Sequence, residues 1–146
     1  MQSRFAKLVE LARAPDSGQR RELLREVTDL FFESSGHRSE RESALFDDVL
    51  KMVAAEMQEG VLAELAEIFA KADDAPVGLM RDLANHSFEI AGTVLRQSKA
   101  LDDQTLLQIV NYQSQSHIQA VAQRPIVSEL VSEAIVRLAT IQRSTP

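Results

Sequence analysis

Apolar residues recur at three- and four-residue intervals along nearly the whole chain, and a chain so patterned folds into helices. Phe5, Leu8, Val9 and Ala12 fall at i, i+3, i+4 and i+7, which places them on one side of a 3.6-residue turn. Leu23, Leu24, Val27, Leu30 and Phe31 form a second stripe. Leu45, Phe46, Val49, Leu50, Met52, Val53 and Met57 form a third, and Val61, Leu62, Leu65, Ile68 and Phe69 a fourth. Strands lack their preferred residues: aromatics make up 5% of the chain and Trp is absent. The expected fold class is all-α.

The residues between the stripes set the ends of the helices. Pro15 closes the first, and Asp16 or Ser17 is suited to cap the next. Ser34-Ser35-Gly36 breaks the second. Ser39-Glu40-Arg41-Glu42 reads as a capping box, with Ser39 at N-cap and Glu42 at N3. The apolar arc of the helix that follows is roughly 160° wide, which suits a central helix with neighbours on two sides. Gly60 is expected to separate it from the fourth helix. Residues 1–74 thus read as an N-terminal antiparallel helical bundle with short loops.

Asp73-Asp74-Ala75-Pro76 marks a boundary, with proline in a first helical turn and two carboxylates beside the positive end of the dipole. Beyond it the spacing predicts shorter helices over 76–85, 88–97, 102–112, 115–123 and 128–142. Leu101 and Leu106 bracket Asp102 as a hydrophobic staple brackets an N-cap. Pro76, Leu101 and Ile126 open successive units 25 residues apart. A fixed period with no strand signal is the mark of two-helix repeats stacked as an α-solenoid, so residues 75–146 read as a repeat segment.

Charge and composition narrow the functions. Residues 1–74 hold 10 Lys/Arg against 16 Asp/Glu, and residues 75–146 hold six of each. Neither half supplies the basic stripe that a polyanion requires, so nucleic acid is not expected as a partner. A nucleic-acid-binding repeat protein is the alternative, and it requires Arg81, Arg96, Lys99 and Arg124 to converge on one face. Cysteine is absent, which excludes disulfides and thiolate metal sites. The N-terminus has no apolar signal run, and no apolar stretch is long enough to span a bilayer. The expected location is the cytoplasm.

Catalytic and metal-binding patterns are missing. His37, His86 and His117 lack the three or four converging ligands a metal needs, and no Glu-x-x-His or His-Glu-x-x-His motif occurs. A serine nucleophile would need His86 or His117 joined to a carboxylate, and no Gly-x-Ser-x-Gly elbow is present. The five glycines are scattered singly, so no phosphate-cradling loop forms. Asp47-Asp48 and Asp102-Asp103 are adjacent in sequence, about 100° apart on a helix, and suit capping or solvation better than paired acid–base chemistry. No catalytic residue, metal, cofactor or small-molecule substrate is expected.

The surface is more informative. Gln115, Gln119 and Gln123 recur at i, i+4 and i+8 as an uncharged polar ridge, with Tyr112 in the turn before it as an aromatic anchor for an incoming protein. Phe32 projects about 130° from the centre of its stripe. On the last helix Leu130, Val131, Ala134, Ile135, Leu138 and Ile141 span an arc of roughly 140°, and Val136 lies outside it. Phe32 and Val136 are therefore candidates for self-association.

Several runs are also recognisable together: Leu83-Ala84-Asn85, Ala91 with Val94 to Ser98, Leu101-Asp102-Asp103 with Leu106-Leu107, His117 to Arg124, and Ser128 to Val136. They resemble an alphaproteobacterial domain-of-unknown-function family with HEAT-like helical repeats, family number 2336. Arg21 to Leu24, Val27 to Phe32 and Ser39 to Phe46 resemble that family's N-terminal helical region. These motifs are packing and capping residues. The resemblance implies an interaction module built of helical repeats, with no active site to transfer.

Overall fold

The computed structural model describes residues 17–144, with side chains from 20 to 139. The helix expected around Phe5 to Ala12 lies outside the described residues. Those residues form eight α-helices and no strand: α1 (Ser17–Glu33), α2 (Glu40–Ala54), α3 (Glu59–Ala70), α4 (Val77–Ala84), α5 (Phe88–Gln97), α6 (Asp103–Tyr112), α7 (Gln115–Ala122) and α8 (Glu129–Ser144). The fold class is all-α. No helix is long and apolar enough to cross a membrane among the described residues. The chain divides into two compact units between Val61 and Leu62, inside the first turn of α3, so the proline boundary at 74/75 falls within the second unit.

In the first unit α1 packs on α2. Leu23, Leu24, Val27, Leu30 and Phe31 are buried, as are Phe46, Val49, Leu50 and Val53. The rings of Phe31 and Phe46 meet edge to face at 5.5 Å. The end of α1 is closed by Arg38, whose guanidinium lies 3.7 Å above the Phe31 ring and donates to the Phe31 carbonyl and Ser34 Oγ. Gly36, at φ 80°, supplies the left-handed turn that brings the chain round to Arg38. Ser39 forms the expected capping box: its Oγ accepts from Glu42 N–H at 3.1 Å, and Glu42 Oε1 accepts from Ser39 N–H at 3.4 Å.

Three sequence expectations need correction here. The broad face of α2 is not wholly buried, because Leu45 and Met52 are exposed. Ile68 of α3 is likewise exposed. Gly60 does not separate helices but lies in the first turn of α3, where the leading N–H groups have no intrahelical partner and glycine costs little.

The second unit runs from Leu62 onward. Its helices pair in alternation: α4 on α5, α5 on α7, α6 on α7, and α6 on α8, while α7 touches α8 more lightly. Asp102 caps α6 by accepting from Thr105 N–H at 2.8 Å, and Leu101 and Leu106 on either side are buried. That bond holds the Asp102 carboxyl below its ordinary value, with Arg81 adding a smaller effect in the same direction. Pro76 stands at the N-cap of α4 rather than inside its first turn. Asp73 also meets Lys99 Nζ at 2.8 Å. Ile126, expected to open a third unit as Pro76 and Leu101 open the first two, is 86% exposed where Leu101 is 6%. Leu130 is also exposed, at 54%, although the apolar arc of α8 includes it. Because α8 rests chiefly on one neighbour, α6, a narrower stripe is covered among its described side chains: Val131 and Ala134 are buried, with Ile135 and Leu138 half-buried, while Ile141 lies outside the described side chains.

Candidate functional site

The shortest helices of the second unit need anchors, since eight residues hold little helical stability of their own. For α7 the first anchor is His117, 4% exposed. Its Nε2 lies 2.8 Å from the His86 carbonyl oxygen and its Nδ1 2.6 Å from Ser114 Oγ. A carbonyl only accepts, so Nε2 carries the proton, and Nδ1 accepts from the Ser114 hydroxyl. Ser114 also caps α7 by accepting from His117 N–H, at 3.3 Å. The Phe88 ring closes the pocket edge-on at 5.7 Å. His117 therefore meets a serine and a backbone carbonyl, and His86 contributes its main chain to that contact.

The second anchor is Arg124. Its Nη1 and Nη2 donate to the carbonyls of Leu95 and Ser98, at 2.6 and 2.7 Å, at the C-terminal end of α5. A cation there also complements the negative end of the helix dipole. Burial lowers the Arg124 pKa from its ordinary value, and Asp103 opposes the shift. Beside it, Arg96 Nε donates to Gln123 Oε1 at 2.9 Å, and the Arg96 guanidinium lies 5.6 Å from the Phe88 ring.

With its inner side so fixed, α7 buries His117, Ile118, Ala120 and Val121 and turns Gln115, Gln119 and Ala122 outward. Between α7 and α8 this leaves a groove lined by Gln115, Ile118, Gln119 and Ala122 on one wall and Ile135, Leu138 and Ala139 on the other. Its volume is about 100 Å³ and no lining residue is charged. A site that engulfs a small organic ligand has on the order of 300–1,000 Å³. This cleft suits the edge of a larger body instead.

The glutamine ridge thus divides. Gln115 and Gln119 stand on the groove wall, while Gln123 faces Arg96. Tyr112, 84% exposed at the end of α6, is not part of the lining. Val136 is 63% exposed on α8, and Phe32, in the first unit, is 40% exposed with its ring edge-on to Phe31 at 5.5 Å. Missing from the sequence-derived set were Ile118, Ala122 and Ala139. The signal of the two alanines is faint in a stripe pattern, because Ala120 and Ala134 on the same helices are buried while Ala122 and Ala139 are exposed. The four cations required for a basic groove have other engagements: Arg124 with carbonyls, Arg96 with Gln123, Lys99 with Asp73, and Arg81 near Asp102. Among the described residues no group of three His, Cys, Asp or Glu side chains is placed to hold a metal ion.

Fold and site together define an all-helical protein whose second unit carries an open, uncharged groove between two outer helices. Residues 90–145, which begin within α5 and include all of α6, α7 and α8, match the model of a family described as an uncharacterised protein conserved in bacteria (DUF2336). Its number is that of the family the sequence resembles. No curated protein and no solved structure matches the chain.

Proposed function

We propose that the protein is a non-enzymatic, cytoplasmic interaction module of the HEAT-like repeat type, and that the α7–α8 groove docks a helix of a protein partner. The observation that carries this reading is the groove itself: apolar along its length, uncharged, and flanked by the side-chain amides of Gln115 and Gln119. An amphipathic helix laid along it buries its apolar face and finds donors and acceptors at the rim. Tyr112, exposed at the end of α6, is a second candidate contact for such a partner.

The test is a photoreactive side chain at Gln119, compared with one at exposed Asp82 on α4, in the full-length protein. A defined protein adduct from position 119, absent from position 82 and lost in Ala139→Glu, is expected. Ala139 is exposed, so the glutamate blocks the groove without entering the core. Equal adducts from both positions, or indifference to Ala139→Glu, refute the docking site. The alternative nucleic-acid reading is separated by titrating duplex DNA near physiological salt. Given the engaged cations, no binding at micromolar protein is expected.

A further inference from the structure

The flank of α8 that faces the groove has a composition suited to another helix. At 100° per residue, Ile135, Ala139, Ser132 and Val136 follow one another at about 60°, 100°, 120° and 160° from Leu138, the residue nearest the line of core contact. Ile135 and Ser132 are half-buried, while Ala139 and Val136 are exposed. These four residues carry no charge, and the small ones, Ser132 and Ala139, allow a close approach of backbones; Arg143 and Glu129 fall on either side of Val136, at about 140° and 180°. In the alternation of the unit, α7 receives α5 on one side. Among the described residues no helix takes the corresponding place beside α7 and beyond α8.

The charges of α8 say what fits there. Glu129 and Glu133 lie in its first half, and Arg137 and Arg143 in its second. A parallel copy of the same helix sets like charge against like. An antiparallel copy sets the acidic half against the basic half twice, once on each side of a two-fold axis. That is the self-complementarity an isologous dimer requires.

We infer that the occupant of the groove is α8 of a second copy of this chain, paired antiparallel with the first across Val136. The inference rests on the docking reading of the groove and names its partner. Each α8 then lies against the other and against the partner's α7, so two α7–α8 pairs form a four-helix contact around the axis. Glutamates at one end meet arginines at the other, which fixes the direction of pairing.

Sedimentation equilibrium on the full chain tests this, with circular dichroism to confirm that each variant is folded. The wild type is expected to dimerise at micromolar concentration, and Val136→Glu to weaken the dimer at least tenfold. Glu129→Arg with Glu133→Arg makes α8 wholly basic, and Arg137→Glu with Arg143→Glu makes it wholly acidic. Each of these variants alone is expected to be monomeric, and their equimolar mixture to form a heterodimer. A wild type that stays monomeric to several hundred micromolar, charge variants that dimerise as the wild type does, or a mixture that fails to pair overturns the inference. A monomeric wild type that still gives a defined adduct with another protein at Gln119 rejects the second copy and retains the docking groove. Loss of the adduct in every form rejects both.

Discussion

Arg124 provides the sharpest quantitative test of how α7 is held in place. Replacing it with Met keeps most of the apolar stem and removes the guanidinium. Two bonds are lost, from Nη1 to the Leu95 carbonyl and from Nη2 to the Ser98 carbonyl, at 2.6 and 2.7 Å. A hydrogen bond involving a charged group contributes roughly 1.5–3 kcal/mol. Two opposing effects reduce the sum. Arg124 Nε is buried without an acceptor, so removing it returns about 1 kcal/mol of desolvation. The site is half-buried, and water can re-solvate at least one of the carbonyls. The net expectation is a loss of about 2 kcal/mol.

For a unit of this size each kcal/mol corresponds to a shift of about 4–8 °C in the midpoint, so the melting transition of the second unit should fall by roughly 8–16 °C. Arg124→Lys, whose single ammonium cannot span both carbonyls, should lose about half as much. Urea unfolding followed at 222 nm measures both, with an unchanged slope against denaturant as the sign that the unfolded state is unaltered. An Arg124→Met protein within 0.5 kcal/mol of wild type would refute the claim that this side chain holds α5 and α7 together.

Three further outcomes are expected. His117→Ala removes the partner of the Ser114 hydroxyl, which is exposed, and of the half-buried His86 carbonyl, and opens a void beside Phe88, at a cost of about 2 kcal/mol. Ser114→Ala loses the cap as well as the Nδ1 donor and should cost about 1–2 kcal/mol, both measured by urea midpoints. If His117→Ala proves neutral, the ring is not an anchor. Asp102 has a carboxyl pKa lowered by its bond to Thr105, so its contribution is present above its unfolded value of 3.8 and disappears as pH falls through the depressed folded value. Asp102→Asn keeps the cap but cannot titrate, so its urea midpoint should fall less than the wild type's between pH 5 and pH 2.5; equal falls would show that Asp102 contributes nothing to acid sensitivity.

How much of this architecture is legible from sequence depends on whether a feature is local. Helix ends are local, and Ser39 with Glu42 and Asp102 with Leu101 and Leu106 mark them correctly because capping uses residues within one turn. Helix faces are only half local. Periodicity counts Leu45, Met52, Ile68 and Leu130 as core because they lie near an apolar stripe, but a stripe is buried only as widely as its neighbours cover it. On α8, which rests chiefly on α6, the covered strip among the described apolar side chains narrows to Val131 and Ala134 with half-buried Ile135 and Leu138, and Leu130 falls outside it.

The site is harder to read because its supports run from side chain to backbone across long separations. His117 binds the carbonyl of His86, 31 residues away, and Arg124 those of Leu95 and Ser98, 29 and 26 residues away. Every residue has a carbonyl, so no pattern of residue types announces which one will be met. The glutamine spacing did lead to one groove wall, since i and i+4 share a face on any helix. It could not separate Gln123 from Gln115 and Gln119, because the difference is Arg96, on another helix. Ala122 and Ala139 complete the argument. In a stripe, an alanine counts as a small core residue wherever it falls. Here Val121, next to Ala122, is buried against the unit while Ala122 is exposed on the floor between two helices. What makes that floor a groove is that neither wall carries a bulky side chain at those two positions, a property of paired helices rather than of either segment alone.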